Sequence, residues 1–266
     1  YYFNFLNYSG KFYLHPVSGQ IYLLDKESRI QFKTFNDSNN NLCWKAITPD
    51  GATLFFTKKT VAISGVTTRL SSENFYLTNI IFPEGDKVEL NYVSDESFSL
   101  GFNTSSVKFG KSEVGPALIR HNYTAQTLSN IKTNNFTVNF NTLKDRSDIP
   151  EERKLSSIDV IDNHSGQSRS FSFLFEYFNS TDQGNYCSIG SFFDINKARK
   201  RLKLVEFKEV NCNSYKFSYN DGLPVKTTYG IDYWGFYNGE TNNTKLYPNI
   251  KNLYPSGCDF PEGYQT

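Results

Sequence analysis

Residues 75–92 read FYLTNIIFPEGDKVELNY, and the fold follows from this stretch. Two runs of alternating apolar and polar residues flank Pro83, Glu84, Gly85 and Asp86. Proline presets φ near the start of a turn, glycine accepts a positive φ, and β-branched and aromatic residues favour a pleated ribbon. The segment therefore reads as a long antiparallel hairpin.

The same plan recurs on both sides. Residues 154–178, KLSSIDVIDNHSGQSRSFSFLFEYF, turn at Asn163-His164-Ser165-Gly166, and residues 201–221, RLKLVEFKEVNCNSYKFSYND, turn between Asn211 and Ser214. A shorter copy over 128–141 turns at Asn134-Asn135. Each copy closes on spaced apolar side chains: Leu90 and Tyr92, Val138 and Phe140, Phe173 with Phe175 and Tyr177, Phe217 and Tyr219. Four imperfect copies form an internal repeat whose units must stack to bury an apolar face. Earlier in the chain, KFYLH and QIYLL pair around residues 16–19, and WKAIT and ATLFF pair around Pro49-Asp50-Gly51. The expected fold class is all-β and antiparallel, with long hairpins stacked into an extended or curled sheet. No linker divides residues 1–266, so one repeat-type region is expected, with a soft subdivision near 93–123 where the pattern weakens. A short basic helix is expected within 192–204, N-capped by Asp194. The run DRSDIPEER at 145–153 reads as an exposed, fully solvated charged loop.

Composition narrows the function classes. Aromatic residues make up 17% of the chain, and 28 basic against 27 acidic residues leave a net charge of +1. That balance offers no electrostatic footprint for nucleic acid. No apolar run is long enough to span a bilayer. The chain opens at Tyr1 without an initiator methionine, so it reads as an excised fragment. Cys43, Cys187, Cys212 and Cys258 are widely spaced and the three histidines are scattered, which disfavours zinc and leaves two disulfides or free thiols open. No nucleophile elbow, P-loop or H-E-x-x-H occurs. Neither a cofactor nor a catalytic group is expected. Asp37-x-Asn39-x-Asn41 starts like a calcium loop but lacks the following glycine and the closing glutamate, so a polar turn is the better reading. Asp145, Asp148, Glu151 and Glu152 supply carboxylates, but glycoside hydrolysis needs an opposed pair with one pKa raised by burial. Asn-x-Ser/Thr sequons, among them Asn7, Asn36, Asn103, Asn122, Asn135, Asn179 and Asn242, are mostly expected by chance in so polar a composition.

The densest aromatic cluster is YGIDYWGFYNG at 229–239. Asp232, Tyr233, Trp234, Phe236, Tyr237 and Asn238 admit two readings: a platform stacking on sugar faces, or a packed aromatic corner bent by Gly230, Gly235 and Gly239. Packing takes precedence, because aromatic clusters are more often core than binding surface. This cluster resembles the D-H/Y-W-G-Y/F-Y-N-G signature of large Rhs/YD-repeat-like surface proteins of Bacteroidetes. The order before it is also similar: SGKFYLHPVSGQI, ITPDGATLFF, FYLTNIIFPEGDKVELNY, KRLKLVEF and SYKFSYND. The resemblance covers most of the chain and is weakest over 93–123. It implies a non-catalytic scaffold segment, exported to the cell surface or beyond, lying before the YD repeats and partnered by the remainder of a longer chain. YD-repeat proteins coil hairpin sheets into hollow shells. No complete YD array, self-cleaving core or toxin region stands in this sequence, and no catalytic residue carries over. A glycan-binding module is the alternative, with glycan or protein at the cell surface as the partner.

Overall fold

The computed structural model describes residues 1–24, 29–64, 69–102, 118–182, 184–187, 194–232, 234–244 and 246, and only the backbone of 63, 64 and 69–72. A small sheet is formed by β1 (Tyr2–Phe5), β2 (Tyr8–Leu14) and β3 (Ile21–Leu23). A second sheet has eleven strands, each beside its neighbours in sequence. They are β4 (Gln31–Asn36), β5 (Leu42–Ile47), β6 (Thr53–Ser64), β7 (Arg69–Ile81), β8 (Lys87–Phe102), β9 (Leu118–Lys132), β10 (Phe136–Leu143), β11 (Lys154–Asp162), β12 (Ser168–Asn179), β13 (Lys200–Glu209) and β14 (Tyr215–Lys216). Every pairing is antiparallel. Among the described residues no helix is long and apolar enough to cross a membrane.

The hairpin at 75–92 forms as its turn chemistry demands. Phe82 N–H donates to the Asp86 carbonyl at 2.9 Å, Gly85 N–H donates to the Phe82 carbonyl at 3.0 Å, and Gly85 has φ +94°. Its arms pair only from Asn79–Ile81 to Lys87–Glu89 and then part. β7 continues along β6, β8 continues along β9, and β9 returns to β6 where Ala62–Ser64 meets His121–Tyr123. Strands β6 to β9 thus close into a four-stranded circuit inside an otherwise open sheet. The opened seam is bridged by Tyr92, whose hydroxyl donates to the Leu77 carbonyl at 2.7 Å beside the Tyr76 ring. The weakly patterned region contributes the distal half of β8 and the start of β9, which pair residue by residue out to Phe102 and Leu118.

Opposed residues in an antiparallel pair point to the same side, so the registers trace one face of the sheet. It runs Phe32, Ala46, Leu54, Ile80 and Val88, continues through Leu90, Ile131, Val138 and Val160, and crosses Ile158, Phe171, Phe173 and Phe207 to Tyr215. This apolar stripe spans all eleven strands. The other face of β10–β13 is mostly polar, with Asn139, Asp159 and Ser170 in one row and Asn141, Ser157, Ser172 and Lys208 in another.

Among the described residues only one end of the stripe is covered. The small sheet lays Phe3, Phe5 and Phe12 over Phe32, Trp44, Ala46, Leu54, Phe56 and Ile80, with Phe12 stacked on Phe32 at 4.7 Å and Phe5 tilted on Phe56 at 5.3 Å. Burying each such ring contributes about 2–3 kcal/mol. From Leu90 to Phe207 the stripe is only half-buried, and Tyr215 at its end is 68% exposed. The shared dry interface therefore exists under β1–β3 and stops there.

Two expected elements come out shorter. The basic helix is the single turn α1 (Ile195–Ala198), and Asp194 caps it by accepting from Asn196 N–H at 2.8 Å. Pairing with β12 draws the chain into strand from Lys200 onward. β14 keeps two residues, after which Phe217 N–H still donates to the Val205 carbonyl at 3.0 Å. Cys43 is a free, buried thiol and Cys187 is buried, whereas Cys212 is a free, exposed thiol in the β13–β14 turn; Cys258 lies outside the described residues.

Candidate functional site

The aromatic signature forms a small turn whose polar residues are spent on its own backbone. Asp232 Oδ1 accepts from the N–H groups of Trp234 at 3.0 Å and Phe236 at 2.9 Å, while Asp232 N–H donates to the Phe236 carbonyl at 2.8 Å. Gly235 completes the reversal at φ +87°. Asn238 Oδ1 likewise accepts from Glu240 N–H at 2.9 Å, and Ile231 bridges Tyr237. At Gly230 a Cβ would stand 2.7 Å from the Glu240 carbonyl oxygen, so only glycine lets the two arms approach. With its backbone so held, the turn presents its rings outward: Trp234 is 78% exposed and Phe236 71%, with Tyr237 less so. The packed aromatic corner is thus not what Trp234 and Phe236 form. Tyr233 lies outside the described residues.

The turn stands on a buried strap. Val225, Thr227 and Thr228 are buried, Cys187 N–H donates to the Thr227 carbonyl at 2.9 Å, and Lys226 N–H donates to the Ala198 carbonyl at 3.1 Å. Burial and the neighbouring Cys187 push the Tyr229 hydroxyl up to about 12. Its ring lies 6.4 Å from Phe102, which joins the strap to the far end of β8.

A second cluster overturns the reading of residues 145–153 as a solvated loop. Asp148 is 1% exposed. Arg146 clasps it through Nε at 3.0 Å and Nη2 at 2.9 Å, and Lys226 Nζ reaches Oδ2 at 3.1 Å. Burial alone would raise its pKa, but the bonds and charges of Arg146 and Lys226 outweigh burial and hold it at about 2. Arg146 also donates to Glu152 at 2.7 Å, and Glu152 accepts from Tyr123 at 2.8 Å and Ser97 at 3.3 Å. Asp95 takes Arg153 and Lys144, and the Arg153 bond chiefly holds its carboxyl below the usual range. Ser147 N–H donates to the Tyr177 hydroxyl at 2.9 Å. The loop is therefore a wedge between the distal half of β8–β9 on one side and β12 with the 224–228 strap on the other.

Asp148 does not have the properties of an acid catalyst. The Asp148 carboxylate is ionised at neutral pH with both oxygens occupied, so it has no proton to give. Asp145 turns away to Lys154 at 3.1 Å. Asp37 closes the β4–β5 turn, its Oδ1 accepting from Asn39 N–H at 2.9 Å and Asn41 N–H at 2.8 Å and its Oδ2 from Asn41 Nδ2 at 3.1 Å, as a polar turn requires. Among the described residues no three His, Cys, Asp or Glu side chains converge as metal ligands would.

Sequence reasoning missed the ladder of hairpin tips. Asn134 Nδ2 donates to Asp86 at 2.7 Å, tying the β9–β10 turn to the β7–β8 turn. Asn163 N–H and Nδ2 donate to the carbonyls of Asn135 at 2.8 Å and Thr133 at 3.0 Å, and the His164 ring meets Asn135 Oδ1 at 3.1 Å. The only signal was the recurrence of asparagine at successive turns, which turn propensity already explained.

Sheet and clusters together define an antiparallel hairpin wall with an outward aromatic turn. Neither the protein-family models nor the curated proteins compared with this chain give a match.

Proposed function

We propose that the chain is a non-catalytic structural segment of a large exported bacterial protein of the Rhs/YD-repeat kind, with the sheet as wall. The observation that carries this reading is the uninterrupted run of long hairpins, each beside the next and tied at the tips. A wall needs regular extension and lateral bonding rather than a concave pocket, and the remainder of the longer chain is the partner that extends it. Electron microscopy of the natural full-length product tests this. A hollow shell wound from hairpins is expected, and a string of separate globular domains would overturn it. Deleting residues 200–239 removes β13, β14 and the Lys226 partner of Asp148, and should leave a destabilised, aggregating product. A truncated chain that stayed monomeric and equally stable would count against the wall.

The exposure of Trp234 and Phe236 on a backbone-locked turn favours a second reading, a glycan contact at the cell surface. Aromatic faces held rigid in solvent stack on sugar rings with little loss of conformational freedom. Glycan-array binding lost on Trp234→Ala is the expected result. An array with no signal for the unsubstituted chain ends this reading and leaves the wall untouched.

A further inference from the structure

We infer that the uncovered half of the apolar stripe is an interface, and that its occupant is the same face of a second copy of this chain. The inference goes beyond the wall reading and does not depend on it.

The stripe itself supplies the argument. Its first half is an interface already, covered by the aromatic inner face of β1–β3. The registers carry the same kinds of side chain through Leu90, Ile131, Val138 and Val160, where Arg169 stands opposite on β12, and again through Ile158, Phe171, Phe173 and Phe207. Beyond β8 no ring or aliphatic side chain of the stripe is buried, although the rings already pack on one another, Phe173 tilted on Phe207 at 5.3 Å and Phe207 stacked on Tyr215 at 6.1 Å. An antiparallel sheet tolerates water on one face when that face is polar. Here the polar face is the other one.

Charge favours a copy of the chain as the occupant. On this face Arg169, opposite Val160, already binds Glu209, opposite Phe171, through Nε at 2.8 Å, so the charges within the patch neutralise each other. The whole chain carries only +1, which leaves little repulsion between copies. Size points the same way. Six strands, β9 to β14, at about 4.8 Å spacing and roughly five residues deep make a patch of about 500 Å² on each copy. A pair would bury about 1,000 Å², the lower bound for a specific interface, so association should be reversible with a dissociation constant on the order of micromolar. Two such faces would meet as an aligned sandwich, about 10 Å apart, around a two-fold axis.

Sedimentation velocity on the full chain, from roughly 1 to roughly 100 µM, tests this. The mass should move from monomer to dimer over that range and stay dimeric in ~0.5 M salt, because burial of apolar surface is not screened. Val160→Lys, at the centre of the stripe, should weaken the dimer at least roughly tenfold. Ser172→Glu, on the polar face, should leave it unchanged. Circular dichroism establishes that each variant keeps its strands, and if Val160→Lys fails to fold, Tyr215→Lys at the exposed end of the stripe carries the test. A monomer at every concentration, a dimer that salt dissociates, or equal loss from Ser172→Glu would each overturn the proposal.

Discussion

Asp148 shows how far one residue's role depends on its distant neighbours. Its sequence neighbours are charged, which argues for solvation, but Lys226, 78 residues away, and the Arg146 fork remove it from water. Breaking such a pair leaves an uncompensated buried charge, so Asp148→Ala should destabilise the fold by about 3–5 kcal/mol in urea unfolding through loss of the clasp on Arg146 and Lys226. The pH dependence has a definite sign. The folded pKa of about 2 lies below the ordinary 3.8, so the contribution is fully present above the ordinary value and is lost as pH falls through the folded one. Its size is about 2 kcal/mol. Urea midpoints measured at low and neutral pH should therefore differ less in Asp148→Asn than in the unsubstituted chain. Tyr229 acts at the other extreme. Its pKa, pushed up to about 12, favours the folded state at neutral pH, and that stability is lost as pH rises above the ordinary value of 10.

At the scale of elements, the hairpins are held laterally by their turns as well as by their strands. Asn163 alone donates to two carbonyls of the neighbouring turn and accepts from Thr137 at 2.9 Å. These bonds are exposed, each with a modest net worth, so Asn163→Ala should cost about 1–2 kcal/mol. Hydrogen exchange should quicken at residues 133–137 before it quickens in the β11–β12 ladder, and equal exchange rates there would show that the tips are not coupled. The alternation in 75–92 and the Pro-Glu-Gly-Asp turn were enough to place β7 and β8, because both signals are local. Nothing local announced that the two arms part after three residue pairs. That depends on β9 competing for β8 along fourteen opposed positions and on β6 holding β7. The basic helix shrank for the same reason, since pairing with β12 takes Lys200 onward into strand.

For the whole molecule, the division of the stripe into covered and uncovered halves decides where stability resides. Leu54 is wholly buried beneath the β1–β3 layer, so Leu54→Ala should cost about 2–5 kcal/mol. Val160 lies on the same face but half-exposed, and Val160→Ala should cost less, about 1 kcal/mol. Thermal unfolding of the two variants gives the comparison, and equal losses would mean that both halves are covered. The aromatic turn at 230–239 adds little to this core, because its largest rings point outward. Its stability comes from Asp232, Asn238 and the close approach at Gly230. Gly230→Ala should therefore shift the Trp234 fluorescence while leaving the melting of the sheet nearly unchanged.

By itself the amino-acid sequence determined an antiparallel succession of hairpins, their turns and the single apolar face, because side-chain alternation and turn chemistry act between near neighbours. It also placed the Asp37 turn and the Asp194 cap, whose donors lie within four residues. Only the tertiary structure decided which half of that face is dry, that Asp148 within residues 145–153 is buried, and that Trp234 and Phe236 are not. Burial is a property of what comes to lie above a residue. Here the covering groups, Phe3, Phe5 and Phe12 for Leu54 and Lys226 for Asp148, come from chain too far away for any local pattern to register.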